Sequence, residues 1–500
     1  MGKKKTTKIP DDGKNTSMVE RNYQYNKKSF FEMIKFNRTF QLVFFLTFMG
    51  LFLRFYQLGF NSIWLDEAST LVFSRKSIVD IWMLTVGGGG EFHPPLFYWM
   101  EHIMLFFGDS EFILRLLPAL FGALTIPLFY LAGRELIDKQ TGIIASALIV
   151  ISPFHIYYSQ DARSYTMALF FFTLTFWLYC VARRHGATIH WSLFALAGSL
   201  TIWTHFYTII PVGVMILFEL FTRGRDYYQK ERNILPFAIG VSILGITLLP
   251  LIIVVFNLFF AITDIGAVYG VQGLELIIST FVSFSGFNSI IAALFSLLFL
   301  GGMFGILRNR WEIGIFLLLI MIITIFISVI LSHSMPMNPR YLMPIFLPFI
   351  FGMAAVFRLI PEGFRSPHVL GVAVLVLCLI QVPFLAGYYT TYSKNDWRGF
   401  SGVLSEITEP GDVIVLVPSY MHQPFNYYYS YTLDGTLQSA ANTADDLETI
   451  RISHQDNRIF FIVTGDIFAA DPSGGAYAWL EKNTGYAGSL TGIHLFVIPE

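Results

Sequence analysis

Residues 42–68 read LVFFLTFMGLFLRFYQLGFNSIWLDEA. From Leu42 to Phe55 the stretch is almost purely apolar, and then two adjacent carboxylates, Asp66 and Glu67, follow. A helix that crosses the hydrocarbon core of a bilayer needs about 20 mostly apolar residues. The run 39–57 meets that length, so Asp66 and Glu67 fall just beyond a membrane boundary. Which side they face depends on the rest of the chain.

Of the 500 residues, 54% are hydrophobic and 13% charged, with 51 phenylalanines. A soluble domain carries roughly 25% charge. So little charge cannot cover a water-facing surface, and most of this surface must face lipid. An aromatic share of 17% suits interfacial belts. The net charge of −1 gives no electrostatic case for nucleic acid. Cys180 and Cys378 both sit in apolar runs, with no CxxC or metal-ligand spacing.

About eleven apolar runs of spanning length follow one another, near 39–57, 112–133, 141–158, 164–182, 190–205, 207–222, 234–258, 290–307, 313–332, 341–358 and 368–388. The lysine-rich tail 1–37 precedes the first, without an apolar core or cleavage site of a signal peptide. Every second connection is basic: Arg134 and Lys139; Arg183 and Arg184; Arg223, Arg225, Lys230 and Arg232; Arg308 and Arg310; Arg358 and Arg365. The positive-inside rule then predicts a cytoplasmic N-terminus and an external C-terminus. On that reading Asp66 and Glu67 open a long outer loop, roughly 58–111. Its segments 81–86 and 95–108 are apolar but too short to span, which predicts helices lying at the interface.

Three predicted regions result: a cytoplasmic tail over 1–37, a membrane domain over 38–389, and an extracytoplasmic α/β domain over 390–500. In the last, WRGFSGVLSEI (397–407) predicts a helix. GDVIVLVP (411–418), RIFFIVTG (458–465) and GIHLFVIP (492–499) predict buried strands.

The unusual polar residues collect on the predicted outer side. The first loop supplies Asp66, Glu67, Glu91 and His93; YYSQDARSYT (157–166) supplies Gln160, Asp161 and Arg163; THFY (204–207) supplies His205; SHSMPMNPRYLMP (332–344) supplies His333, Arg340 and Tyr341. Charge at a bilayer boundary is costly and marks paired or functional groups. Four loops carrying such groups predict one shared cavity. A carboxylate there can serve as general base, and arginine with histidine can bind a phosphate through charge-assisted hydrogen bonds. A base beside a phosphate clamp, half in lipid, suits attack of a hydroxyl on a sugar whose leaving group is a lipid phosphate.

The set Trp64-x-Asp66-Glu67, then HPPLFYW (93–99), YSQDARSY (158–165) and PRYLMP (339–344) resembles the membrane glycosyltransferases of the type-C (GT-C) fold, and within them the family 39 group. That group includes protein O-mannosyltransferases and the lipid A aminoarabinose transferase. The resemblance covers roughly 40–390. It implies an α-helical polytopic membrane protein that transfers a sugar, such as mannose, with inversion from a polyprenyl or dolichyl monophosphate. It also implies Asp66 as catalytic base, with His93 and Asp161 at the positions of further site residues. A β-trefoil domain, carried by the eukaryotic O-mannosyltransferases, has no counterpart here, so the acceptor (glycan, lipid or protein) stays open.

Each residue also has a plainer reading. Asp66 could cap a helix. Glu67 could orient Asp66. His93 could fix the turn before Pro94-Pro95. Asp161 and Arg163 could form a structural ion pair, and Arg340 could be a snorkelling arginine. His205 reads more readily as structural. Arg115 is expected to pair with Glu111 one turn earlier. The sequence assigns no cofactor and leaves a metal open: Asp66, Glu67 and Asp161 could hold a divalent ion. The GGGG at 87–90 lacks the Lys-Ser/Thr of a nucleotide loop and reads as a flexible segment. Two rivals remain: a transporter or flippase, which calls for charges at the midplane and inverted repeats, and a metal-dependent transferase using a lipid pyrophosphate oligosaccharide.

Overall fold

The computed structural model describes residues 38–87, 93–265 and 270–499. The tail 1–37, Glu91 and the glycines beyond Gly87 lie outside the described residues. The chain opens with α1 (Arg38–Phe55), then three short helices, α2 (Leu65–Ser74), α3 (Ile78–Gly87) and α4 (Leu96–Met104). Next come α5 (Glu111–Leu136), α6 (Lys139–Val150), α7 (Pro153–Ser159), α8 (Tyr165–His185), α9 (Thr188–Thr204), α10 (Ile209–Tyr228) and α11 (Leu235–Ile265). The short α12 (Gly273–Phe284), α13 (Ser289–Asn309) and α14 (Trp311–Leu331) follow. A 3-10 turn, Pro339–Ile345, runs into α15 (Phe346–Ala355), and α16 (Pro367–Thr390) completes the bundle.

Each apolar run forms a helix, and against the eleven spans expected, nine helices among the described residues are long and apolar enough to cross a membrane, or ten if α6 and α7 count as one broken span. The remaining run is α9. Its 17 residues reach about 25 Å at 1.5 Å per residue, at the lower end of the spanning range of about 17–25 residues, yet it runs from the basic end beside Arg183 and Arg184 to His205 at the other end of the bundle. The helices are apolar on the outside. α1 exposes Phe44, Phe45, Phe48 and Phe52 and buries Val43, Leu46, Gly50 and Arg54. That pattern inverts a soluble helix and fits a lipid-facing surface.

The bend between α6 and α7 has an identifiable cause. The two axes meet at 61°, and Pro153 starts α7 under a Ser152 cap. A break at membrane depth frees backbone carbonyls that lipid cannot satisfy. Arg54, fully buried, fills it. Its guanidinium donates to the carbonyls of Gly50 (2.9 Å), Ile149 (2.9 Å) and Val150 (3.1 Å), and its Nη2 lies 2.6 Å from His155 Nδ1. Gly122 lets the wedge fit: a Cβ there would come within 2.2 Å of Ser159 Oγ. The bend thereby turns the chain from α7 into residues 160–164.

The basic connections gather at one end of the bundle. Arg183 contacts Glu219 and Glu312, each at 2.9 Å, and Arg184 contacts Glu135 at 3.0 Å. Arg358 donates to Asp138 (3.1 Å), and Arg310 to the Ile137 carbonyl (2.7 Å). A cleft of about 340 Å³ at this end is lined by Glu135, Arg183, Arg184, Arg223 and Glu312.

After α16 the chain forms α17 (Trp397–Ile407), β1 (Val413–Val417), α18 (His422–Tyr428), β2 (Leu437–Ala440), α19 (Ala444–Ser453), β3 (Ile459–Thr464), α20 (Gly475–Asn483), β4 (Gly485–Leu490) and β5 (Ile493–Ile498). The sheet order is β2-β1-β3-β5-β4. The first three strands are parallel, and β5 and β4 are antiparallel. β1 and β3 are buried at every position, as expected for central strands covered on both faces.

Candidate active site

The stretch 58–69 lies between the bundle and the C-terminal domain. Ser62 Oγ donates to Asp396 (2.9 Å), the Ile63 amide to Tyr428 Oη (2.8 Å), and Ser69 Oγ to Gln423 (2.8 Å). Phe60 stacks on Tyr392 with ring centroids 4.7 Å apart. Pinned this way, the chain enters α2 with Trp64 as N-cap, and Asp66 and Glu67 occupy the first turn. The unpaired amides and dipole of a helix start favour carboxylates there.

The two carboxylates have different surroundings. Glu67 is fully buried. Its Oε1 accepts from Arg115 Nε (2.7 Å) and the Ala162 amide (2.9 Å), and its Oε2 from Arg115 Nη2 (2.7 Å). Lys394 Nζ stands 3.1 Å from Oε2. Burial pushes this carboxyl up, but Arg115 and Lys394 outweigh it and hold the group well below the usual carboxylate range. The expected Arg115–Glu111 pair does not form: Arg115 turns to Glu67, and Glu111 accepts from Arg398 and Tyr428. Asp66 keeps 23% of its side chain accessible, and its Oδ2 lies 2.9 Å from Arg340 Nη1.

The other loops converge on this point. Asp161 is fully buried and accepts at Oδ1 from Trp64 Nε1 (2.7 Å) and Lys394 Nζ (2.9 Å). Arg163 donates to the Asp66 carbonyl and Thr70 Oγ1, each at 3.3 Å, with its Nη2 3.3 Å from His93 Nδ1. Arg163 therefore does not pair with Asp161. Pro339 opens the 3-10 turn under an Asn338 cap, which brings Arg340 over the rings of Trp64 (5.5 Å), Tyr165 (5.4 Å) and Tyr341 (5.7 Å). His205 completes the wall, its ring 5.5 Å from His93 and 5.7 Å from Tyr341. Burial, then the nearby His93, Arg163 and Arg340, keep His205 well below the usual imidazole value, so it is neutral at pH 7.

All of Asp66, Glu67, His93, Asp161, Arg163, His205, Arg340 and Tyr341 thus meet at the end of the bundle opposite the basic connections. His333 is exposed and stands apart beside Gly273. Lys394, Tyr165 and Thr70 join the site without having been singled out from sequence. Buried polar atoms are nearly always hydrogen-bonded, yet Asp161 Oδ2, Tyr165 Oη, His205 Nε2 and Arg340 Nε have no hydrogen-bond partner among the described residues, and Asp66 Oδ2 has only its ion contact with Arg340. Such a cluster is what a site prepared for a polar ligand looks like.

A metal fits less well. Among the described residues no three His, Cys, Asp or Glu side chains are grouped to hold one. Both Glu67 oxygens bind Arg115, and the Lys394 ammonium stands between Glu67 and Asp161.

The bundle is that of a polytopic membrane protein, and superposition on solved structures gives it the type-C glycosyltransferase fold. The similarities to known proteins agree. Residues 92–254 match the family model described as dolichyl-phosphate-mannose-protein mannosyltransferase. An uncharacterized protein of Aquifex aeolicus (strain VF5) is 30% identical over 185 residues, 35% of this chain and 37% of that protein. The curated relatives that the chain matches are covered over 37% and 20% of their own length. Among solved structures, ArnT from Cupriavidus metallidurans bound to undecaprenyl phosphate superposes with a TM-score of 0.51 at 13% identity, covering 91% of this chain and 97% of that one. The oligosaccharyltransferase AglB from Archaeoglobus fulgidus, in complex with an inhibitory peptide and a dolichol-phosphate, gives 0.53 at 13% identity, covering 93% and 74%.

Proposed function

We propose that the protein is an inverting glycosyltransferase that moves a sugar, a hexose such as mannose, from a polyprenyl or dolichyl monophosphate to an acceptor hydroxyl on a glycan, lipid or protein. The observation that carries this reading is the set of unmatched buried polar atoms around the Asp66–Arg340 pair. The site lies at the end of the bundle away from the basic connections. The positive-inside rule supports the reading in which it, and the C-terminal domain, face the extracytoplasmic side of a plasma or inner membrane, with the N-terminus cytoplasmic.

Asp66 is the base because it is the accessible carboxylate; Glu67 is held by Arg115 and serves as a fixed hub. In the resting site Arg340 binds Asp66. An arriving lipid phosphate competes for that guanidinium and for Arg163 and His93, which frees the Asp66 oxygens. Asp66 then takes the proton of the acceptor hydroxyl. The oxygen attacks the anomeric carbon from the face opposite the phosphate, the C1–O bond breaks, and the polyprenyl monophosphate departs with both bond electrons. Arg340, Arg163 and His93 stabilise the charge that develops on it.

The test is turnover of a polyprenyl-phosphate [3H]mannose by purified protein. Removing a general base costs about 10²- to 10⁴-fold, so Asp66→Asn should lose at least 100-fold. Near wild-type turnover by that variant would defeat the assignment.

A further inference from the structure

Lys394 lies four residues after the end of α16 and three before α17, in the segment that joins the bundle to the C-terminal domain. Only 5% of its side chain is accessible. Its ammonium is 2.9 Å from Asp161 Oδ1 and 3.1 Å from Glu67 Oε2, over the rings of Trp64 (5.4 Å) and Tyr157 (6.0 Å). The segment is fastened on both sides of the lysine. The Ser393 amide donates to Asn61 Oδ1 (2.9 Å), Asp396 accepts from Ser62 Oγ, and the Arg398 amide donates to Ser62 Oγ (3.1 Å).

We propose that Lys394 is a positioning residue of the transferase site, so that the link to the C-terminal domain is a working part of that site; this rests on the transferase reading above. The reason is charge. Glu67 and Asp161 are buried carboxylates on separate elements, α2 and the turn after α7. One is matched by Arg115 and the other by Lys394, while Asp66 is matched by Arg340. Without the ammonium, one buried carboxylate is left uncompensated, and burying an unpaired charge is strongly unfavourable. Repulsion then drives α2 away from the Asp161 turn, and a negative charge remains where a lipid phosphate must bind. Because Lys394 is held between Asn61 and Ser62 on one side and the C-terminal domain on the other, docking of that domain and assembly of the base site are one event.

The experiment compares the full-length protein in nanodiscs with Lys394→Arg and Lys394→Met, using two readouts. Hydrogen exchange is followed in peptides covering 157–170, which include the Ala162 amide bonded to Glu67. Undecaprenyl phosphate binding is followed by native mass spectrometry. Lys394→Met should speed exchange in that segment at least 10-fold and weaken lipid binding at least 10-fold. Lys394→Arg should keep both within about 3-fold, since a guanidinium can still bridge two carboxylates. A small alkylammonium added to Lys394→Ala should slow exchange again, which a purely steric role would not produce. Unchanged exchange in Lys394→Met overturns the positioning role whatever happens to binding. Wild-type protein that fails to bind undecaprenyl phosphate overturns the transferase reading, and with it the role assigned to Lys394 in transfer.

Discussion

Glu67→Gln isolates the hub of the site while barely changing side-chain shape. The carboxylate receives Arg115 Nε and the Ala162 amide on one oxygen, and Arg115 Nη2, Lys394 and, at 3.4 Å, the Trp64 amide on the other. Glutamine offers one oxygen and one NH2. In either orientation its NH2 faces at least two donors, and Arg115, only 1% accessible, loses its counter-ion. Breaking a buried pair by removing one partner costs roughly 3–5 kcal/mol. A midpoint shift of about 2–4 °C per kcal/mol holds for 150–250 residues and scales inversely with length, so a chain twice as long should drop by about 3–10 °C. Polytopic proteins unfold irreversibly, so the comparison is made at one scan rate in one detergent. The double variant Glu67→Leu with Arg115→Leu removes both charges but strips the Leu58, Asn61 and Ser62 carbonyls and the Ala162 amide of their partners, so it should recover only part of the loss. A Glu67→Gln protein melting within 1 °C of wild type, a margin of about 1 kcal/mol or less, would refute the reasoning.

Two further perturbations test other parts of the fold. Arg54→Met leaves the Ile149 and Val150 carbonyls without their donor; at about 1–3 kcal/mol per unsatisfied buried group, a lowered apparent melting temperature is expected, while an unchanged one would show that the bend does not need the wedge. Glu101 is fully buried, with neither carboxyl oxygen hydrogen-bonded among the described residues, and burial, with Glu67 nearby, pushes its carboxyl well above the usual range. Above the unfolded carboxylate value of about 4.3 the unfolded chain ionises this group and the folded one does not, so its contribution to stability falls as pH rises. Glu101→Gln should therefore stabilise the protein by an amount growing with pH between 5 and 8, at up to about 1.4 kcal/mol per unit; a pH-independent difference in melting temperature would contradict this.

The site was legible where charge interrupted grease. Asp66, Asp161, Arg163 and Arg340 stand out because each adjoins an apolar span, where an ionised side chain is expensive. Lys394 gave no such signal: it lies beyond residue 390, where polarity is ordinary and a lysine is no surprise. Its partners are 233 and more residues away, a pairing that no local pattern encodes. Arg115 misled for a related reason. The helical spacing to Glu111 offers a weak surface pair, whereas Glu67 offers a buried bidentate one, and the tertiary contact prevails. In the C-terminal domain the expected helix 397–407 matches α17, and the three apolar strands appear as β1, β3 and β5. β2 and β4 were missed because both lie at sheet edges with largely accessible residues, LQSA and GYAGSL, so hydrophobic runs do not mark them. The span count shrank because α9 is only 17 residues long, at the lower limit of about 17 for a crossing helix, a shortness that an apolar run cannot reveal without its boundaries.

The Arg54 wedge also bears on the order in which the chain is built. A kinked pair of apolar segments with two bare carbonyls makes a poor lone passenger in a bilayer. A lone arginine in α1 is equally unwelcome there. Each cures the other's defect, and the arginine is synthesised about 95 residues earlier. The first segment therefore has reason to wait at the insertion machinery until the third arrives, which makes their joint release an early checkpoint in biogenesis.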